Sequence, residues 1–318
     1  MPPLECCDGP PSLAQTNAVG ARRLNKVTIA THMLNETAAW YARVLGARAD
    51  GFPFENDLGH FQRLTVAGER GAAGVTIELV TPRSGLVEPP VVLPDPFVHT
   101  KFTGVIAQFS FRVADMTVVD ARMRAAGVEY VAPQYRSEPL QLVLAFIRDP
   151  TTGTLVEFLQ PFDKAASVVD AATNPLGILG FNQVTKSVTD ALVTTAWERA
   201  MVGTTLPYDR YIDLRADFGT IMAISEVQHV RLESVQNVTA VPAPPAPQYP
   251  RQSGRAGFVS YAVEIGASAH DAQAFVSEQA ARLGYSAPTS TFTSPEWGGV
   301  SFFAYDPDGV LVEFFAPA

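Results

Sequence analysis

The chain repeats itself, and a repeat restricts the fold more than any single motif, because each copy has to fold in the same way. Residues 24–47, LNKVTIATHMLNETAAWYARVLGA, match residues 181–204, FNQVTKSVTDALVTTAWERAMVGT. Both open on an alternating stretch that predicts a strand, at 24–31 and at 181–187. Both then pass a polar residue placed to cap a helix, Asn35 or Thr189. An amphipathic helix follows, carrying Trp40 or Trp197 and ending near Gly46 or Gly203. The ends of the copies match as well: RDPTTGTLVEFLQP closes one and YDPDGVLVEFFAP the other. Each is an Asp-Pro turn with a Gly, then an apolar strand interrupted by one Glu. Lys26 precedes Glu157 by about 131 positions and Gln183 precedes Glu313 by about 130, so a whole domain was duplicated.

Each half divides again. GVIAQFSFRVADMTVVDARMRAAGVEY from Gly104 and GFVSYAVEIGASAHDAQAFVSEQAARLGY from Gly257 both read strand, loop, helix, Gly, strand. Four βαβββ units result, starting near Leu24, Gly104, Gly180 and Gly257. Pro and small residues collect at 81–97, 163–177 and 240–254, which predicts extended crossovers between units. The expected organisation is a flexible tail over 1–22, a first domain over 23–162, a joint over 163–178 and a second domain over 179–318.

Composition narrows the function classes. Hydrophobic residues at 47% and charged residues at 17% suit buried cores and argue against disorder. A net charge of −9 disfavours nucleic acid and acidic membranes as partners. No apolar run is long enough to span a bilayer. The first residues have no basic region followed by an apolar one, so no signal peptide is expected and the default location is cytoplasmic. Cys6 and Cys7, adjacent near the start, are too few for a disulfide framework and lack companions for a zinc site.

The strand–helix opening with its aromatic and the DPxG…E closing resemble the vicinal-oxygen-chelate superfamily of glyoxalases, bleomycin-resistance proteins and type I extradiol dioxygenases. The resemblance covers residues 24–316. It implies an α+β chain whose four βαβββ units form two half-open mixed β-barrels, with helices on the convex faces. It also implies a divalent metal on the concave face, held by four strand positions. The opening-strand position falls on Lys26 and Gln183. The next falls on Glu78 and on Glu233, with Glu226 as an alternative. The third falls on Gln108 and Phe258, and the last on Glu157 and Glu313.

Neither half has the two imidazoles and one carboxylate of non-haem iron oxygenases, so standard extradiol ring cleavage is not expected. A Lys ammonium at position 26 would repel a divalent cation and neutralise Glu157 or Glu78 instead. Gln183, Glu233 and Glu313 form an oxygen-rich set suited to Mg, Mn or Ni, with Fe as a further option; a centre without metal stays open. Candidate catalytic residues are Glu313, Glu157 and Lys26, with His60 added because its strand belongs to a barrel wall. His32, His99, His229 and His270 form no ligand pair. Phe109, Phe111, Phe146, Phe158, Phe258, Tyr261, Phe302 and Phe303 alternate along strands; most belong to the core, and some would line a cup for a flat aromatic ligand. The segment around Trp297 reads as a loop able to cover a cavity mouth. Two functions follow: a lyase, isomerase or atypical dioxygenase on an aromatic or carbonyl compound, or a metal-free protein that sequesters a small molecule. A homodimer is compatible with either.

Overall fold

A computed structural model describes residues 19–68, 74–83, 85, 102–138, 141–163, 174–205, 211–214, 220–237, 241–242, 248–249, 252–253, 257–294 and 298–318. Cys6, Cys7, His99, Trp297 and most of the three Pro-rich stretches lie outside the described residues.

The βαβββ order occurs four times. Unit one contains β1 (Ala21–Ala30), α1 (Leu34–Leu45), two short strands β2 (Arg48–Ala49) and β3 (Phe54–Glu55), then β4 (Gly59–Val66) and β5 (Val75–Pro82). After β6 (Phe102–Thr103), unit two has β7 (Val105–Val113), α2 (Met116–Ala126), β8 (Tyr135–Ser137), β9 (Leu142–Arg148) and β10 (Leu155–Pro161). Unit three has β11 (Ile178–Ser187), α3 (Ala191–Met201), β12 (Tyr211–Leu214), β13 (Thr220–Val227) and β14 (Val230–Asn237). Three short strands follow: β15 (Val241–Pro242), β16 (Gln248–Tyr249) and β17 (Gln252–Ser253). Unit four has β18 (Gly257–Ile265), α4 (Ala269–Leu283), β19 (Phe292–Ser294), β20 (Gly299–Tyr305) and β21 (Leu311–Pro317).

Local chemistry explains the helix ends. Asp190, one residue beyond the expected Thr189, caps α3 by accepting from the amides of Leu192 and Val193. Asn35 lies inside the first turn of α1, which has no side-chain cap. Thr31 and Thr37 serve that turn instead, Thr31 accepting the Met33 amide and Thr37 donating to the Met33 carbonyl. Gly46 ends α1 with φ +70°, and a Cβ there would lie 2.5 Å from Pro175 Cγ. A side chain at Gly46 is therefore excluded by both backbone and space.

The four units combine into two mixed sheets, and the pairing crosses the expected domain division. One sheet runs β19-β20-β21-β18-β1-β5-β4-β2, joining unit four to unit one. The other runs β12-β13-β14-β11-β7-β10-β9-β8, joining unit three to unit two. The seams are antiparallel: β1 against β18, with Lys26 opposite Ala262, and β11 against β7, with Gln183 opposite Ser110. Inside each unit the first strand runs parallel to the last, as a βαβ crossover requires. The tail is also shorter than expected, since Val19 is buried and β1 begins at Ala21.

Consecutive units meet through other groups. Thr37 on α1 is 2.7 Å from Thr151 in the Asp149 turn of unit two. At the equivalent place Thr194 on α3 donates to Asp308 in the Asp306 turn of unit four. Helices α1 and α3 lie against their own sheets, and one apolar core joins both sheets through Phe109 and Phe258, which meet edge-on at 5.5 Å. Trp197, Tyr41, Phe111, Phe158 and Phe314 fill that core. Close packing of such large rings carries most of the favourable free energy of folding here.

Candidate functional site

Period-two alternation along β7, β10, β11 and β14 puts four polar side chains on one face of their sheet. Gln108, Glu157, Gln183 and Glu233 are all buried. Gln108 Nε2 donates to Glu157 Oε2 at 2.9 Å, and Gln183 Nε2 approaches the same oxygen at 3.0 Å. Gln183 Nε2 also lies 3.2 Å from Glu233 Oε2, which accepts from Thr185 Oγ1 at 2.6 Å. Gln108 Oε1 is buried without a hydrogen-bond partner. Burial and the neighbouring Glu233 carboxylate hold Glu157 well above the usual glutamate range, with Arg231 opposing. Glu233 is also raised by burial, and Thr185 and Arg231 limit the rise. Two buried carboxylates facing two carboxamides form an oxygen-rich centre in which neither carboxylate has a cation as a hydrogen-bond partner.

The other sheet holds the duplicate. Thr28 lies opposite Glu78 as Thr185 lies opposite Glu233, so Lys26 takes the place of Gln183. Lys26 Nζ is 2.5 Å from Glu313 Oε2 and 3.7 Å from Glu78 Oε1. Ser301 donates to Glu313 Oε1 at 2.8 Å, and Thr28 to Glu78 Oε1 at 3.4 Å. Burial alone would lower the lysine pKa, but the two carboxylates reverse that and raise it. Lys26 is thus held between two carboxylates that favour its ammonium form. Ser260 lies opposite Leu311, as Gln108 lies opposite Leu155, so it takes the third position. Phe258, expected there, packs on Phe109 instead.

The structure therefore groups the expected residues by sheet. Gln183 and Glu233 meet Glu157 and Gln108. Glu313, expected beside Gln183 and Glu233, joins Lys26 and Glu78 because unit four pairs with unit one. His60 belongs to neither centre: its side chain is half exposed and lies 3.4 Å from the Glu55 carboxylate. Glu226 is opposite Arg231 in the β13–β14 hairpin, whose turn puts His229 on the surface. Thr185, Ser260 and Ser301 were not singled out from the sequence. Thr185 could have been, since it is two residues past Gln183 and repeated as Thr28. Among the described residues no three His, Cys, Asp or Glu side chains form a metal-binding group, so the histidine-based iron triad is absent there. No helix among them is long and apolar enough to cross a membrane.

Apolar residues flank both centres. Leu144, Phe146 and Leu159 cluster beside Glu157, with Phe146 directly across from it. Ala30, Phe61, Val80 and Val259 cluster beside the Lys26 centre, where Phe54 stacks on Phe61 at 5.0 Å.

No family profile and no curated protein sequence matches this chain. Solved structures do. Glyoxalase I from Zea mays superposes with a TM-score of 0.64 at 16% identity, covering 92% of each chain. A variant of that enzyme gives 0.66 at 15% identity, over 93% of this chain and 94% of that one. A putative dioxygenase from Bacillus subtilis gives 0.62 at 14% identity, over 93% and 86%. The chain thus has the four-unit vicinal-oxygen-chelate fold.

Proposed function

We propose that the centre of Gln108, Glu157, Gln183 and Glu233 holds a divalent cation and that the chain is an enzyme that moves a proton on a small carbonyl compound. The reading also takes each sheet to curl around its polar centre as a half-open barrel. One observation carries the proposal: two buried carboxylates converge on two buried carboxamides, one of which keeps a carbonyl oxygen without a partner. Such a donor set fits the ion. It offers up to four oxygens and no imidazole or thiolate, which favours Mg or Mn over softer metals. When bound, the ion would supply polarisation of a substrate carbonyl.

The protein's own groups supply the rest. Glu157 is the carboxylate that faces both the carboxamides and the apolar wall, so it would be the group that takes up and returns the proton. Leu144, Phe146 and Leu159 give an apolar wall beside it. That wall suits the body of an aromatic or alkyl substrate and limits water at the reacting carbon. The fold shared with glyoxalase I is an analogy of scaffold alone, so small compounds with neighbouring carbonyl or hydroxyl oxygens are the first substrates to try.

The test combines metal content with proton exchange. Protein purified without chelators is expected to hold one Mn2+ or Mg2+ through this centre, and Glu157→Gln with Glu233→Gln to hold none. A panel of such carbonyl compounds in D2O should gain deuterium next to the carbonyl, and Glu157→Gln should stop it. Metal-free protein that binds an unchanged aromatic ligand tightly, with no exchange on any substrate, would favour sequestration instead.

A further inference from the structure

We propose that the Lys26 ammonium is the resident cation of the second centre, so that this centre takes no divalent metal and does a different job from its duplicate. The inference deepens the metal reading of the Gln108 centre and rests on it for the contrast between the two.

The two centres coincide position by position. Lys26 replaces Gln183, Glu78 replaces Glu233, Ser260 replaces Gln108 and Glu313 replaces Glu157. The threonine that orients one carboxylate is kept in both, as Thr28 and Thr185. What differs is where the positive charge comes from. In the first centre two buried carboxylates touch only carboxamides and a hydroxyl, and the cation that acts on them, Arg231, does so without a hydrogen bond to either. In the second a covalently attached ammonium lies 2.5 Å from one carboxylate and 3.7 Å from the other. Its reach covers both carboxylates that a metal would need. A doubly charged ion there would lie within a few ångströms of a buried like charge, in a medium that screens little.

The chemistry changes accordingly. A divalent ion offers several open positions and can chelate two neighbouring oxygens of one ligand. An ammonium offers hydrogen-bond donors and one unit of charge. The Lys26 centre, beside the buried cluster of Ala30, Phe61, Val80 and Val259, would therefore offer a ligand one hydrogen-bonding cation and no Lewis-acid activation. Catalysis of the proposed kind would then be confined to the Gln108 centre.

The experiment counts bound Mn2+ by electron paramagnetic resonance during titration at pH 8. The wild type is expected to bind one ion, the Glu157→Gln/Glu233→Gln double variant none, and Lys26→Gln two. Lys26→Arg keeps a cation and should remain at one. The decisive protein is Lys26→Gln in the double-variant background, expected to bind one. An ion retained by the double variant alone, or none gained on adding Lys26→Gln, overturns the inference. A wild type that binds nothing would sink the metal reading of the first centre, while the Lys26→Gln count would still decide this one. If Lys26→Gln folds poorly, it is refolded with and without Mn2+. Recovery of a cooperative melt with stoichiometric Mn2+ supports the inference, and no recovery overturns it.

Discussion

At the scale of single residues, the two centres differ in what holds their buried carboxylates. Glu157 has a folded pKa above its ordinary value of 4.5. A group raised in this way contributes stability that is complete below the ordinary value and is lost as pH rises through the folded value. Metal-free protein should therefore lose melting temperature as pH rises above the ordinary glutamate range. Glu157→Gln should flatten that slope, because the carboxamide keeps a hydrogen-bonding group and removes the like charge facing Glu233. With Mn2+ the sign reverses, since the ion favours the charged carboxylates and its stabilisation grows with pH. A pH slope that Glu157→Gln leaves unchanged would refute this assignment. Lys26 behaves differently, because its ammonium is held by Glu78 and Glu313. Lys26→Met leaves two buried carboxylates without their cation and should cost about 3–5 kcal/mol of unfolding free energy by urea titration.

At the scale of elements, the strands and helices follow from local patterns that were legible without coordinates. The Asp-Pro turns illustrate why. Asp149 accepts from the Thr151 amide and the Thr152 hydroxyl, and Asp306 accepts from the amides of Asp308 and Val310. A turn closed by its own side chain needs no distant partner, so its sequence is sufficient to find it. The β13–β14 hairpin was harder, and it left Glu226 and Glu233 as rival candidates. Its two turn residues, Gln228 and His229, both have positive φ, at 41° and 73°, and neither is the Asn or Gly that normally marks such a turn. Gln228→Asn with His229→Gly should relieve that backbone and stabilise the protein by about 1 kcal/mol. A fall in melting temperature would mean that the exposed His229 or its contact with Glu226 matters more than the turn. The α3 cap gives a second check: Asp190→Ala removes the acceptor for two amides and should cost about 1 kcal/mol.

At the scale of the whole molecule, which unit pairs with which was not legible, and the reason is the duplication itself. Units two and four offer nearly the same first strand, so either could lie beside β1 by pattern alone. Long-range pairing is decided by the fit of packed surfaces, here the ring contact of Phe109 with Phe258 and the helix–turn contacts of consecutive units. Lys186 adds a charged tie between the sheets. It sits on β11, fully buried, 2.8 Å from Glu198 on α3 and 2.8 Å from Asp306 in unit four. This crossed arrangement predicts how the chain can be cut. Units two and three are contiguous and complete one eight-stranded sheet, so a fragment of residues 102–242 contains both sides of the β7–β11 seam. A fragment of residues 1–163 contains units one and two, whose first strands keep β5 and β10 but have both lost their seam partners, β18 and β11. The eight residues of β1 that face β18 and the eight of β7 that face β11 would then form an open strand edge. The first fragment should unfold cooperatively in urea and the second should not, until residues 164–318 are added to restore both seams. Two independently cooperative halves divided at 163 would mean that each unit can pair with its neighbour, and that the crossed sheets are one of two accessible folds.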